Sequence, residues 1–241
     1  MDFARCELLA LLGDHDAVQC SVHADFSDIE ALADADAVVA YTCDVRPTAA
    51  EVDALTAMLD SGGRLLALHA TNSAIDPPSP DGPRVFQTPD VMPEFASVLG
   101  NRFLAHPKIA PYLIEVAQPQ HPLVAGISGF ITTDEIYVME TADDLDVLLD
   151  VAYTGPCPGF ATDDAHGRHP ILYTRRDGQV TYLTLGHCRG RWDVRDLGKA
   201  DLGVLDRVAW ESPEYREVLR RSIGWAVHGN NWQQCPTKES A

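Results

Sequence analysis

The chain has 241 residues, of which 46% are hydrophobic and 22% charged, the balance of a globular protein and not of a disordered or fibrous one. Eighteen basic and thirty-six acidic residues give a net charge of −18, which repels phosphate backbones and anionic lipids. Neither nucleic acid nor a membrane surface is therefore an expected partner. The six cysteines contain no C-x-x-C pair, which argues against a zinc knuckle or a disulfide framework and favours a reducing environment.

Neither a targeting segment nor a membrane span is predicted. The apolar run 8–12 is short and follows Glu7, unlike the core of a signal peptide. No run approaches the roughly 18 apolar residues that a membrane helix needs. Since one core can support a chain of this size without disulfides or a structural metal, we expect a single cytoplasmic domain over residues 1–241.

The first third of the chain alternates between helix and strand signals. The predicted elements are a helix over 3–12, a strand near 18–22, a strand over 37–41, a helix over 48–61 and a strand over 65–68. Thr48 and Glu51 form a capping box at the start of the second helix. Such alternation predicts a parallel sheet, in which ligands bind beyond the carboxyl ends of the strands. His69 directly follows one of these ends.

The remainder of the chain is predicted to be rich in strands. Six prolines between residues 76 and 93 indicate an irregular loop, and a short helix is expected near 94–99. The strand-rich segments are 111–118, 130–139, 146–153 and 169–185. Asp177-Gly178 indicates a hairpin within the last of them, and a final helix begins at Ser212-Pro213 and ends at Gly229.

Four residues from separate segments are candidates for chemistry: His69, His106, Glu135 and His187. Three imidazoles and a carboxylate suit a site for a divalent metal such as zinc, with an open position for an activated water. They suit metal-free acid-base catalysis equally well. Either role requires that the four side chains converge on one solvent-accessible pocket, with His69 beside His187.

Three further residues are candidates for contact with a substrate. On a strand, Glu135 and Tyr137 project to one face while Asp134 projects to the other, so Tyr137 is expected to share the pocket. Trp192 follows His187, and an aromatic face there would suit the apolar side of a sugar ring. The alternative for Trp192 is a packed side chain at the surface.

The ordered set of short motifs resembles the trehalose-utilisation (ThuA-like) family of the class I glutamine amidotransferase-like superfamily. The resemblance covers roughly residues 26–228. Its motifs are Leu68-His69-Ala70, His106-Pro107, His121-Pro122-Leu123, Thr133 to Tyr137, and Leu185-Gly186-His187. The resemblance implies a flavodoxin-like α/β fold with a mainly parallel sheet flanked by helices. It also implies a role in sugar metabolism, on trehalose-type disaccharides or their keto forms.

The chain departs from the family pattern at its start. Members usually begin with an apolar strand that ends in a histidine-aspartate pair, whereas this sequence begins with a predicted helix, so the first strand is expected to be missing. In the related amidotransferases a cysteine nucleophile follows the strand that here leads into His69. We therefore do not expect glutamine amidotransferase activity.

Two functions remain open from the sequence. The first is an enzyme, such as a hydrolase, lyase or isomerase, that acts on a carbohydrate or keto-sugar through the four candidate residues, with or without a divalent metal. The second is a non-catalytic sugar-binding or accessory protein that retains the fold. Both have a small-molecule sugar as partner, and a homo-oligomer is compatible with either.

Overall fold

The computed structural model describes residues 2–16, 18–193, 203 and 205–234. Its helices are α1 (Asp2–Leu12), α2 (Ile29–Asp34), α3 (Ala49–Asp60), α4 (Pro93–Leu99) and α5 (Pro213–His228). Its strands are β1 (Ala37–Tyr41), β2 (Arg64–Leu68), β3 (Asn101–Ala105), β4 (Ala110–Val116), β5 (Phe130–Asp134), β6 (Val138–Thr141), β7 (Asp146–Ala152), β8 (Gly155–Pro156), β9 (Asp164–Ala165), β10 (Arg168–Arg175) and β11 (Val180–Leu183). None of the described helices is long and apolar enough to cross a membrane.

Seven of these strands form one sheet in the order β1-β2-β11-β10-β7-β4-β5. Strands β1, β2 and β11 run parallel, and the remaining pairs are antiparallel. The predicted α/β class with flanking helices is confirmed, but the sheet is mixed and not mainly parallel. The difference arises because the second half of the chain connects its strands without crossover helices, and such connections favour antiparallel pairing.

The sheet has an apolar layer on each face. Along β2, Leu66 and Leu68 pack in the layer that includes α1 and α5, whereas Leu65 and Ala67 pack in the layer that includes α2, α3 and α4. This alternation follows from the two-residue period of a strand. Because both faces are covered, the run 64–68 is buried along most of its length.

Most predicted elements form, with two corrections. The segment 18–22 is not a strand, and residues 19–22 are exposed. The segment offers too little apolar surface to join the sheet. The predicted strand 130–139 is interrupted between Asp134 and Val138. The capping box at Thr48, the hairpin around Asp177-Gly178 and the helix capped by Ser212 are confirmed. In the described residues no strand precedes β1.

Gly63 links α3 to β2, the strand that leads to His69. A Cβ atom at this position would lie 2.1 Å from Met58 Sδ and 2.9 Å from the Met58 carbonyl oxygen. We predict that Gly63→Ala lowers the free energy of unfolding by about 1–3 kcal/mol through overpacking, measured by urea denaturation. Gly82→Ala is the control, since its nearest neighbour would be 3.5 Å away. Equal stability of the two variants would contradict this account of the turn.

Candidate functional site

His69 lies at a tight backbone turn beyond the carboxyl end of β2. Its φ angle of 47° is in the left-handed region, which is unusual for a residue with a side chain. The Tyr182 hydroxyl donates to the His69 carbonyl at 2.6 Å and accepts from the Asn72 amide at 3.1 Å. Strained conformations of this kind persist only where the surroundings hold them, and they cluster at functional sites.

His187 reaches the same place from the neighbouring strand. It follows β11, which pairs with β2 in parallel register, so both histidines stand at the same edge of the sheet. Their ring centroids are 5.5 Å apart. The predicted proximity of His69 and His187 is therefore found in the structure.

Glu135 brings the histidines together. It occupies the break between β5 and β6, where the chain turns its carboxylate inward and leaves it only 7% exposed. The carboxylate oxygens lie 3.1 Å from His187 Nδ1, 3.5 Å from His106 Nε2 and 3.7 Å from His69 Nε2. All four candidate residues thus converge, although they come from four separate segments.

The rings of His69 and His106 are each oriented by a hydrogen bond at Nδ1, the nitrogen that faces away from Glu135. His69 Nδ1 lies 3.1 Å from the Thr184 carbonyl oxygen, and His106 Nδ1 lies 2.7 Å from the Pro107 carbonyl oxygen. A carbonyl oxygen only accepts, so Nδ1 carries a proton in both rings. In a neutral ring, Nε2 then carries the lone pair, and in His69 it can accept from the Tyr137 hydroxyl at 3.2 Å.

The charges at the site are set by burial and by mutual contact. Burial lowers the pKa of His69 to about 4, so this ring is neutral at pH 7. Burial would raise the pKa of Glu135, but the hydrogen bond from His187 and the charges of the imidazoles lower it to about 2. For His187, burial lowers the pKa, yet the contacts with Glu135 outweigh it and the pKa is raised. A permanently ionised carboxylate thus faces one neutral and one readily protonated imidazole.

Three of these residues form a group that could hold a metal ion. The ligand atoms of His69, Glu135 and His187 all lie within 4.8 Å of one another. His106 contacts Glu135 but is not part of this group. Its side chain is 26% exposed, against 9% for His69 and 15% for His187, so it occupies the more open side.

Tyr137 shares the site, as predicted. Its hydroxyl oxygen lies 3.2 Å from His69 Nε2. The predicted reason is wrong, however, because residues 135–137 are not in a strand and the alternation of strand faces does not apply.

Asp134 has a different position from the one expected of a substrate-binding residue. It is 1% exposed and accepts hydrogen bonds from the amides of Glu135 at 2.7 Å and Gly186 at 2.8 Å. Burial raises its pKa to about 7, against the effect of these amide bonds. Because it accepts from the amides of Gly186 and His187, its side chain fixes the backbone that leads to His187, and it is buried away from solvent.

Trp192 is half-exposed, and the Arg191 guanidinium lies 5.6 Å from the centre of its ring. This arrangement matches the alternative of a surface side chain. His121 lies outside the site, where its ring packs against Trp225 at 5.3 Å. Two surface clefts, of about 440 and 410 Å³, adjoin Arg175 and Arg176, and none of the four candidate residues lines them.

Sequence reasoning missed Asp206. Its Oδ2 atom lies 3.7 Å from His187 Nε2, and it also forms an ion pair with Arg189. No local pattern distinguishes Asp206 from the other acidic residues of so acidic a chain. Its position depends on how residues 205–207 return to the end of β11.

Two solved structures are similar to this chain over most of its length. A ThuA-like protein from Bacteroides uniformis ATCC 8492 is 21% identical, with a TM-score of 0.64 over 94% of this chain and 83% of that one. A ThuA-like protein from Parabacteroides merdae ATCC 43184 is 16% identical, with a TM-score of 0.64 over 94% and 85%. At these identities the likeness establishes the fold.

No curated protein matches the sequence significantly. The model of the ThuA family, described as trehalose utilisation, matches residues 5–226. These matched residues include every motif of the sequence resemblance and every residue of the site. The chain therefore belongs to the ThuA family.

Proposed function

We propose that this chain binds a divalent cation such as zinc through His69, Glu135 and His187 and acts on a carbohydrate or keto-sugar. The observation that carries the proposal is the convergence of imidazole nitrogens on a buried, ionised carboxylate. A cation between them would neutralise Glu135 and accept the lone pair of His69 Nε2. Imidazole and carboxylate are ligands that zinc prefers.

The spacing of the donor atoms fits such an ion. Ligand atoms about 2.0–2.1 Å from a tetrahedral centre lie about 3.3 Å from one another. Glu135 Oε1 lies 3.1 Å from His187 Nδ1 and Glu135 Oε2 lies 3.7 Å from His69 Nε2, so each imidazole has a carboxylate oxygen near this spacing. One ligand atom from each of the three residues lies within 4.8 Å of the other two. Three protein ligands are also the number typical of catalytic zinc sites, which keep one position open for water or substrate.

A bound cation of this kind would polarise a carbonyl or hydroxyl group of the substrate. His106 stands beside the group of three and is the candidate for proton transfer. Its Nδ1 is held by the Pro107 carbonyl, so Nε2 is the atom that can accept or donate a proton. The Tyr137 hydroxyl beside His69 offers a further hydrogen-bond donor.

The substrate class rests on the family, and the position of His106 rests on its packing. The ThuA family is described by trehalose utilisation. The rings of Phe103 and Phe160 pack against His106, with centroids 6.1 and 4.8 Å away. Both rings are buried, with 2% and 7% of their surface exposed, so they support the His106 ring from inside the protein.

Glutamine amidotransferase chemistry is not part of the proposal. That reaction needs a cysteine nucleophile at the turn after β2, and His69 occupies this position. Cys188 lies near the site, but its sulfur contacts the Tyr41 hydroxyl at 3.2 Å. Among the described residues, Cys188 forms no hydrogen bond with any of the site histidines.

Metal analysis of the purified chain tests the proposed site. We predict about one zinc ion per chain after reconstitution, and a loss of affinity in Glu135→Gln larger than the roughly 10–100-fold typical of outer-shell changes. The reason is that the neutral amide removes the charge that attracts the cation. His166→Gln, at an exposed position, should bind as the wild type does. Equal affinity of Glu135→Gln and wild type would contradict the proposal.

A His106→Gln variant tests the proton-transfer role. We expect it to retain zinc and its melting temperature, while turnover of trehalose or its keto form falls by about 10²–10⁴-fold. Product formation is followed by chromatography, with His166→Gln as control. Unchanged turnover would exclude His106 from the reaction. Sugar binding by the wild type without any turnover would instead favour the accessory role.

A further inference from the structure

We propose that Asp206 is a positioning residue that holds His187 in its ligating orientation. The inference rests on the proposed function, because it concerns the same site. The contact between Asp206 Oδ2 and His187 Nε2 is 3.7 Å in this structure, which is longer than a hydrogen bond. His187 Nδ1 points the opposite way, toward Glu135 at 3.1 Å.

His187 Nε2 lacks a hydrogen bond in the described part of the structure. The atom is buried and has no hydrogen-bond partner among the described residues. When Nδ1 is the ligating nitrogen, the neutral ring carries its proton on Nε2. A buried donor left unpaired is costly, so the Asp206 oxygen, less than 1 Å beyond bonding distance, is its natural acceptor. Polar contacts at catalytic sites are often long without ligand and tighten when the site is filled.

The backbone fixes Asp206 where it can serve this role. The Asp206 amide donates to the Arg189 carbonyl, and the Arg189 amide donates to the Asp206 carbonyl, both at 3.0 Å. The Arg189 guanidinium also pairs with the Asp206 carboxylate. This reciprocal pairing joins Asp206 to the chain two residues after His187.

Asp206 completes a pattern shared by the three histidines. In His69 the Nδ1–H group donates to the Thr184 carbonyl oxygen, and in His106 it donates to the Pro107 carbonyl oxygen. His187 has a carboxylate in the corresponding place. Histidines that bind metals typically donate their other ring N–H to a carboxylate or carbonyl, which fixes the ring and makes the ligating nitrogen more basic.

The test compares Asp206→Asn with the wild type. We expect zinc affinity, measured by competition with a chromophoric chelator, to fall about 10–100-fold. The melting temperature of the metal-free protein should stay the same. Asp143→Asn, which makes the same change of charge at an exposed position, should bind zinc as the wild type does. Unchanged affinity in Asp206→Asn would overturn the inference.

A second measurement separates this inference from the proposed function. If the wild type binds no zinc, the metal site fails, but the orientation of His187 can still be observed in metal-free protein by NMR. We expect the His187 Nε2–H proton, assigned by its absence in His187→Gln, to be protected from exchange in the wild type and lost in Asp206→Asn. An Nε2–H signal equal in the two proteins, or absent from the wild type, would overturn the role of Asp206.

Discussion

The contact of one buried carboxylate with three imidazoles governs the arrangement of this site. An ionised group taken out of water costs several kcal/mol unless charges and hydrogen bonds compensate it. Glu135 is almost fully buried, and its described ionic contacts are with His69, His106 and His187. The cost of burying this charge is difficult to explain by stability alone, since an apolar side chain would pack there without it. The proposed cation site would give this buried charge a chemical role.

The fold supplies this contact through the ends and interruptions of its strands. Parallel pairing of β2 with β11 places His69 and His187 at one edge of the sheet. The break between β5 and β6 releases Glu135 from the alternation of a strand and turns it toward them. Asp134, just before it, binds the Gly186 amide and so connects this break to the end of β11. The four residues come from separate segments, which is why no short stretch of the chain defines the site.

The sequence predicted which four side chains lie close together better than it predicted the local structure around them. The order of the motifs identified His69, His106, Glu135 and His187, and the apolar run 65–68 placed His69 at a strand end. The role of Asp134 could not be predicted, because it depends on where β5 ends and which amides then come within reach. The false strand at 18–22 shows the limit of a short apolar pattern without a sheet partner. Asp206 escaped notice because only the tertiary structure brings it to His187.

The most direct measurement is the X-ray absorption spectrum of the zinc-loaded chain. We predict two imidazole nitrogens at about 2.0–2.1 Å and one carboxylate oxygen at about 2.0–2.2 Å around the ion. The scattering of one imidazole should disappear in His187→Gln. A spectrum of hydrated zinc surrounded only by oxygen, or one with sulfur at about 2.3 Å, would contradict the assignment of His69, Glu135 and His187 as the metal site.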